Sequence, residues 1–192
     1  MGRKICNSNS KSNHTMKFIK TPLSGAYIIE TEKREDDRGF FARTWDRSEF
    51  KTHGVKTDFV QSSMSYTKQR GTLRGMHYQK SPNDEGKLMY ITKGRIYDVI
   101  IDLRKNSATY KKWFSTELSD DSCKGLYIPE GFAHGFITLT SDVEVRYMMT
   151  AFYKQESRAG VRYDDPAFGI RWPIEITKIS EKDAHFPNYD SR

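Results

Sequence analysis

The order of apolar and polar residues in the second half of the chain most restricts what it can fold into. Short stretches in which the two alternate follow one another from Lys87 to Tyr153. Side chains of a strand point alternately to its two faces, so each stretch predicts a strand with one buried face. Turn residues, as at Lys93-Gly94 and Asn106-Ser107, separate the stretches roughly every 8–12 residues. This spacing favours an all-β barrel or jelly roll.

Helical patterns are short and few. One is predicted from Arg47 to His53, where Gly54 would end it, and another around Glu181–Ala184. Neither is long enough for an α/β fold, so the expected helices are peripheral. A chain of 192 residues is most simply one domain, which we assign to residues 16–192. Residues 1–15 are basic and then Asn/Ser-rich, and we expect a disordered extension there.

Composition and charge argue against several classes of protein. The net charge is +7, but Lys and Arg are spread along the chain rather than clustered as a nucleic-acid surface requires. Cys6 and Cys123 form neither a disulfide framework nor a zinc-binding spacing. No apolar run approaches the roughly 20 residues of a membrane span, and residues 1–15 lack the apolar stretch of a signal peptide. We therefore expect a soluble, cytoplasmic protein that binds neither membranes nor nucleic acid.

The stretch Gly71 to Gln79 (GTLRGMHYQ) combines strand character with two reactive side chains, Arg74 and His77. In a regular strand these two would lie on opposite faces, because their spacing is three residues. Gly75 lies between them, and a glycine inside a strand often marks a bulge. A bulge here would bring Arg74 and His77 into one cavity. The alternative is a solvated arginine and a core histidine near a turn.

Several segments of the chain, taken together, resemble one family. They are Asp37 to Phe41 (DRGFF), Leu73 to Gln79 (LRGMHYQ), Gly86 to Leu88 (GKL), Asp98 to Arg104 (DVIIDLR), Ile128 to Phe136 (IPEGFAHGF), and Asp164 to Pro166 with Gly169 to Pro173. Over roughly residues 17–185 the chain resembles the dTDP-4-dehydrorhamnose 3,5-epimerase family. The resemblance implies a cupin-type jelly roll (a double-stranded β-helix), usually a homodimer, that acts without a cofactor. It further implies a nucleotide-linked 4-keto-6-deoxyhexose as substrate and a polysaccharide pathway.

Epimerisation next to a ketone needs a base, a group that stabilises the enolate oxygen, and an acid on the far side. His77 is the candidate base, because an imidazole titrates near working pH. By resemblance, Asp183 pairs with it and would stabilise the imidazolium. Lys87 is the candidate for the enolate oxygen, since a fixed ammonium stabilises developing negative charge. Without the resemblance, Asp183 would be interpreted as a helix-surface carboxylate and Lys87 as a surface lysine.

Five further residues are candidates for binding the substrate. Arg38 and Arg74 suit the diphosphate, because guanidinium groups bind phosphate oxygens in a bidentate manner. By resemblance, Phe41 would stack on the nucleotide base and Gln61 would hydrogen-bond to it. His134 would lie beside C4 or the diphosphate, although a packed core histidine is an open alternative.

The chain departs from the family pattern in two regions. The family's acid is commonly the first tyrosine of a pair, and this position is Phe152, followed by Tyr153, which should point to the other face of a strand. We therefore hypothesise that a single carbon is inverted, with C3 preferred; the alternative is that water or another residue supplies the proton. At the base pocket, Arg43 stands where the family often has Glu and Ser63 where it has Asn. An arginine prefers acceptors, which favours CDP or GDP over dTDP; the alternative is that Arg43 faces solvent.

Other classes of function stay open at this point. A sugar-nucleotide 3,4-ketoisomerase shares the jelly roll and the substrate class, and a non-catalytic cupin would only bind the sugar nucleotide. Metal-binding cupins usually carry an HxH motif, and here Tyr78 and Gln79 follow His77. Two histidines without a nearby carboxylate make a poor metal site, so no metal is expected.

Overall fold

The computed structural model describes residues 16–189, so the extension predicted for residues 1–15 lies outside the described residues. The strands are β1 Met16–Lys20, β2 Tyr27–Thr31, β3 Lys33–Asp36, β4 Gly39–Ala42, β5 Gln61–Thr67, β6 Thr72–Gln79, β7 Lys87–Lys93, β8 Arg95–Asp102, β9 Trp113–Ser119, β10 Lys124–Ile128, β11 Phe132–Thr138, β12 Val143–Met149, β13 Arg158–Gly160 and β14 Lys178–Ile179. Two short helices, α1 Arg47–Thr52 and α2 Glu181–Ala184, and a 3₁₀ turn at Gln155–Ser157 complete the list for these residues. Both predicted helices are confirmed.

Two sheets make up the body of the molecule. One has the strand order β1-β2-β10-β7-β12-β5, and the other has the order β13-β6-β11-β8-β9, with β14 added in parallel beside β6. β3 and β4 form a separate hairpin. The other ladders are antiparallel, as in the ladder between β11 and β8. This arrangement confirms the predicted all-β jelly roll.

The main core lies between the two sheets. Met89 on β7 and Leu126 on β10 come from one sheet, and Ile100 on β8 and Phe136 on β11 come from the other; all four are buried in one cluster. Helix α1 covers the outer side of the first sheet, where Phe50 packs in a second cluster. Asp46 caps α1 by accepting hydrogen bonds from two backbone amides of its first turn. No helix within residues 16–189 is long and apolar enough to cross a membrane.

A bulge in β6 sets the direction of the side chains in the predicted central stretch. His77 lies opposite His134 on β11, but Arg74 lies opposite Phe136, so β6 has one residue more than β11 between these pairs. Gly75 adopts a φ of 145° at this point. A Cβ atom added to Gly75 would lie 2.5 Å from the Cα atom of Gly135, so the two strands cross here too closely for any side chain. The bulge puts Arg74 and His77 on the same side of β6.

Candidate active site

A cavity of about 320 Å³ opens between the two sheets. Strands β5, β7 and β12 of the first sheet and β6 and β11 of the second supply most of its walls. The lining side chains are Gln61, Ser63, Ser65, Arg74, His77, Glu85, Lys87, His134, Phe136, Tyr147, Met149 and Tyr153. Five sequence-predicted site residues, Gln61, Arg74, His77, Lys87 and His134, are therefore brought together.

His77 is held by Asp183, the residue expected to pair with it. The Nε2 atom of His77 lies 2.8 Å from Oδ1 of Asp183. Asp183 is on α2, and Ser180 caps that helix by accepting a hydrogen bond from the Asp183 amide at 3.1 Å. The contact fixes the ring tautomer: Nε2 donates its hydrogen to the carboxylate and Nδ1 carries the lone pair.

The carboxyl of Asp183 is held in its charged form against the effect of its burial. Burial favours the neutral acid. The hydrogen bond and charge of His77, the Gly75 amide and the Ser180 hydroxyl outweigh burial and hold the pKa of Asp183 below its usual value. Arg158 adds a second cation, with Nη2 at 3.5 Å from Oδ1. An ionised Asp183 stabilises a protonated His77, which is what a proton-accepting histidine requires.

Lys87 extends from β7 into the cavity beside a carboxylate. Its Nζ atom lies 2.7 Å from Oε1 of Glu85, and both side chains are largely shielded from solvent. Sequence reasoning missed Glu85, which lies in a turn-rich loop and has no signal apart from its spacing of two residues before Lys87. The contact holds the ammonium in place at the wall of the cavity.

His134 is the second histidine of the cavity and also has a carboxylate partner. Its Nε2 atom is 2.7 Å from Oδ2 of Asp98, and both side chains are buried. Asp98 Oδ1 has no hydrogen-bond partner among the described residues. His134 is thus both a packed histidine and a cavity residue, which joins the two interpretations that the sequence left open.

Tyr153, not Phe152, lines the cavity, which corrects the expectation that Tyr153 points away from it. The prediction assumed that a strand runs to Tyr153, but β12 ends at Met149. Beyond that point the amides of Tyr153 and Lys154 are bonded by glutamine side chains rather than by a neighbouring strand, so strand alternation does not apply. Phe152 is 61% exposed and is absent from the lining.

Tyr147 supplies a second phenol to the cavity, which sequence reasoning also missed. Its hydroxyl lies 2.9 Å from the Ser65 hydroxyl across the ladder between β12 and β5. Burial, the largest influence, raises the pKa of Tyr147 to about 12. A phenol with a raised pKa holds its proton more firmly than an ordinary tyrosine. Its position in an alternating strand beside β5 was the available signal.

Arg74 lies at the rim of the cavity. Its guanidinium donates to the Thr67 hydroxyl at 2.9 Å and to the Tyr66 carbonyl at 3.1 Å. The side chain also borders a neighbouring cleft of about 260 Å³ that contains Lys68 and Lys178. The rim is therefore the basic end of the cavity.

Three predicted substrate-binding residues do not line the cavity of their own chain. Arg38 pairs with Asp36 on the exposed β3–β4 hairpin, and Phe41 on the same hairpin is 62% exposed. Arg43 lies 3.0 Å from Asp46, the residue that caps α1. These residues form a separate exposed group away from His77 and Lys87.

The described residues contain no group of three or more His, Cys, Asp or Glu side chains that could hold a metal ion. What the cavity does combine is a carboxylate-paired histidine, a fixed ammonium and a phenol. Together these groups can remove a proton from carbon, stabilise an oxyanion and return a proton. Fold and site define an acid–base enzyme of the isomerase class.

Comparison with known proteins identifies the family. The dTDP-4-dehydrorhamnose 3,5-epimerase family profile matches residues 20–191. A dTDP-4-dehydrorhamnose 3,5-epimerase of Methanothermobacter thermautotrophicus is 44% identical over 88% of this chain and 92% of its own. The chain belongs to the dTDP-4-dehydrorhamnose 3,5-epimerase family, as its motifs predicted.

Solved structures agree with this assignment. The dTDP-4-dehydrorhamnose 3,5-epimerase of Bacillus anthracis, with TDP and PPi bound, superposes with a TM-score of 0.88 at 40% identity, covering 91% of this chain and 99% of that one. The epimerase of Legionella pneumophila, in complex with dTDP-4-keto-L-rhamnose, gives a TM-score of 0.85 at 36% identity, covering 90% and 92%.

Proposed function

We propose that this chain inverts both C3 and C5 of a dTDP-linked 4-keto-6-deoxyhexose by proton transfer through an enolate. The observation that carries the proposal is the presence of His77 and the Tyr153 side chain in one cavity with Lys87. C3 and C5 both adjoin the C4 ketone, which acidifies their hydrogens. One set of groups can therefore serve both carbons in turn.

His77 acts as the base. Nδ1 takes the proton from the carbon, and the electrons of the broken C–H bond move into the C–C bond while the carbonyl oxygen becomes an enolate. Asp183, 2.8 Å from Nε2, stabilises the imidazolium that forms. General-base catalysis of this kind contributes about 10²–10⁴-fold.

Lys87 stabilises the enolate oxygen. Its ammonium is fixed by Glu85 at 2.7 Å and shielded from water, so it is already oriented when negative charge develops. His134, held by Asp98 and opposite His77 in the ladder between β6 and β11, contacts the sugar on the same side of the cavity.

Tyr153 gives the proton back on the opposite face of the sugar. Its phenol donates the hydroxyl hydrogen to carbon and the phenolate then recovers a proton from solvent. Tyr147 is the weaker candidate, since burial raises its pKa to about 12 and its hydroxyl is bonded to Ser65. Because a tyrosine is available as the acid, the reason for restricting the enzyme to C3 no longer applies. We therefore expect inversion at both carbons.

Arg74 binds the diphosphate at the basic rim, where Lys68 and Lys178 add positive charge. Arg43 gives no preference for CDP or GDP within its own chain: its guanidinium lies 3.0 Å from Asp46 and outside the cavity. The prediction of CDP or GDP assumed that Arg43 faces the nucleobase. The relatives from Methanothermobacter thermautotrophicus, Bacillus anthracis and Legionella pneumophila are named as epimerases of dTDP sugars, which supports dTDP as the nucleotide.

The functional unit is a homodimer in which the β3–β4 hairpin of one subunit completes the cavity of the other. Phe40 and Phe41 on this hairpin are 54% and 62% exposed, and exposed apolar side chains in a group indicate an interaction surface. Arg38 and Phe41 suit a diphosphate and a base but lie outside the cavity of their own chain. If two subunits pair through this hairpin, Arg38 and Phe41 of one subunit would contact the nucleotide in the cavity of the other.

Proton NMR in D₂O tests the proposed function directly. The protein is given dTDP-4-keto-6-deoxyglucose, and we expect deuterium at C3 and C5 with inversion at both. His77→Asn should lower the rate at both carbons by about 10²–10⁴-fold. Exchange at C3 alone would restore the single-carbon hypothesis, and migration of the carbonyl to C3 would identify a ketoisomerase. Tight dTDP binding without exchange would identify a binding protein.

A further inference from the structure

Gln79 is a buried polar side chain at the end of β6, on the same strand as His77. It is 3% exposed. Its Nε2 atom donates to the carbonyl of Phe152 at 3.2 Å, and its Oε1 atom accepts from the amide of Lys154 at 2.6 Å. The two ends of one amide therefore bond to the residue before Tyr153 and to the residue after it.

The segment that carries Tyr153 has little else to hold it. Residues 151–154 have no regular structure, and the Phe152 and Tyr153 side chains are mostly exposed. Gln61 adds one further bond, because its Oε1 atom accepts from the Tyr153 amide at 2.6 Å. An exposed, irregular segment opens locally at little cost unless buried groups bind its backbone. Here buried or cavity-lining glutamines bind it at three successive residues.

Gln79 also touches the residues around the ammonium of the site. Its Nε2 atom donates to the Asn83 carbonyl at 3.0 Å and lies 3.4 Å from Oε2 of Glu85, whose other oxygen holds Lys87. The β6 strand thus carries His77 directly and, through one amide, holds the backbone around Tyr153 and the loop before Lys87. A rotation of the Gln79 amide would disturb the acid side of the cavity without moving the base.

We infer that Gln79 is a positioning residue that fixes the Tyr153 hydroxyl opposite His77. It touches no reacting atom and acts through Tyr153, so this inference rests on the proposed role of Tyr153. A displacement of a reacting group by about 1 Å can cost about 10²-fold in rate. The alternative is that Gln79 is a core amide whose hydrogen bonds contribute only to stability.

The test combines Gln79→Met with Tyr153→Phe in a double-mutant cycle. Methionine keeps the side-chain volume and brings no charge near Glu85, but it neither accepts from the Lys154 amide nor donates to the Phe152 carbonyl. Two rates are measured in D₂O on dTDP-4-keto-6-deoxyglucose: inversion, which needs the acid, and deuterium exchange without inversion, which needs His77 and Lys87 but not Tyr153. We expect Gln79→Met to slow inversion by about 10–100-fold and to change exchange less than about threefold, with no further loss of inversion in the Tyr153→Phe background.

Controls separate positioning from folding. Gln79→Leu also lacks these hydrogen bonds and carries no charge, and it must give the same pattern if Gln79→Met does not fold. Asn83→Ala removes the 2.7 Å bond to Ser157 in the same region and should leave the ratio of the two rates unchanged.

The outcomes distinguish the inference from the proposal beneath it. Losses of inversion that multiply in the double variant, or equal losses of inversion and exchange, would show that Gln79 serves stability alone and overturn the inference. If Tyr153→Phe inverts the substrate at the native rate, Tyr153 is not the acid. The positioning role of Gln79 would then be refuted together with it.

Discussion

At Asp183, burial and hydrogen bonding have opposite effects on the pKa of the carboxyl. Its pKa is lowered in the folded protein despite burial. A carboxyl with a lowered folded pKa binds fewer protons in the native state than in the unfolded state. It therefore stabilises the fold above its unfolded pKa, near 4, and that stabilisation is lost as the pH falls through the folded pKa.

We predict that Asp183→Asn lowers the free energy of unfolding by about 1–3 kcal/mol at pH 6 and by less at pH 3. Urea unfolding of the native chain and the variant at both pH values would measure this. Asp37→Asn, which removes an exposed carboxylate from the turn of the β3–β4 hairpin, is the control and should show no such difference. Parallel unfolding curves for Asp183→Asn and the native chain at both pH values would contradict the prediction.

At this scale the sequence identified several cavity residues of the regular strands but missed Tyr147, which lies on β12, and Glu85, which lies outside the strands. His77, Lys87 and His134 lie on β6, β7 and β11 and line the cavity as expected. Tyr153 was given the wrong orientation because alternation was extended past Met149, where β12 ends. Side-chain bonds from Gln61 and Gln79 direct that segment, and no local pattern encodes them.

Among the elements, β6 has the most demanding geometry, because it is bulged and crosses β11 at a glycine contact. Gly75 combines a φ of 145° with a neighbouring backbone atom 2.5 Å from where a Cβ would lie. Gly39 has a φ of 129° but nothing within 4 Å of its Cβ position. The two glycines therefore separate the cost of the backbone conformation from the cost of the contact.

We predict that Gly75→Ala destabilises the protein by at least about 2 kcal/mol more than Gly39→Ala, because one strand must move away from the other. The displacement should also move His77 and lower its exchange activity. Thermal unfolding and the D₂O exchange rate would measure the two effects. Equal destabilisation by the two substitutions would show that the contact between β6 and β11 relaxes at little cost.

The sequence indicated the bulge but not its partner. Gly75 between Arg74 and His77 was enough to suggest an irregular strand. The pairing of β6 with β11, and the addition of β14 beside it, join parts of the chain far apart in sequence. Asp183 reaches His77 across 106 positions, and only the resemblance to the family predicted that contact.

At the scale of the whole molecule, the proposed dimer can be tested by mixing two variants that are each defective alone. A chain with His77→Asn lacks the catalytic base but keeps the β3–β4 hairpin. A chain with Arg38→Ala and Phe41→Ala has a defective hairpin but keeps His77. In a mixed dimer, the cavity of the second chain would receive the hairpin of the first. Random pairing of equal amounts would make roughly a quarter of all cavities complete.

We predict that co-refolding these two poorly active variants restores about a quarter of the native rate. Mixing His77→Asn with Lys87→Ala is the control, because each chain then carries a defect in its own cavity and no complete site forms. Epimerase rates would be read beside sedimentation analysis of the oligomeric state. A monomer, or no recovery in the first mixture, would refute the exchange of hairpins.

The bulge in β6 also has a consequence for how this chain can change over time. Because one extra residue puts Arg74 and His77 on the same face, deleting or inserting a single residue between them would turn one of the two away from the cavity. A substitution in this stretch alters one side chain and leaves the register intact, whereas a change in its length removes the site in one step.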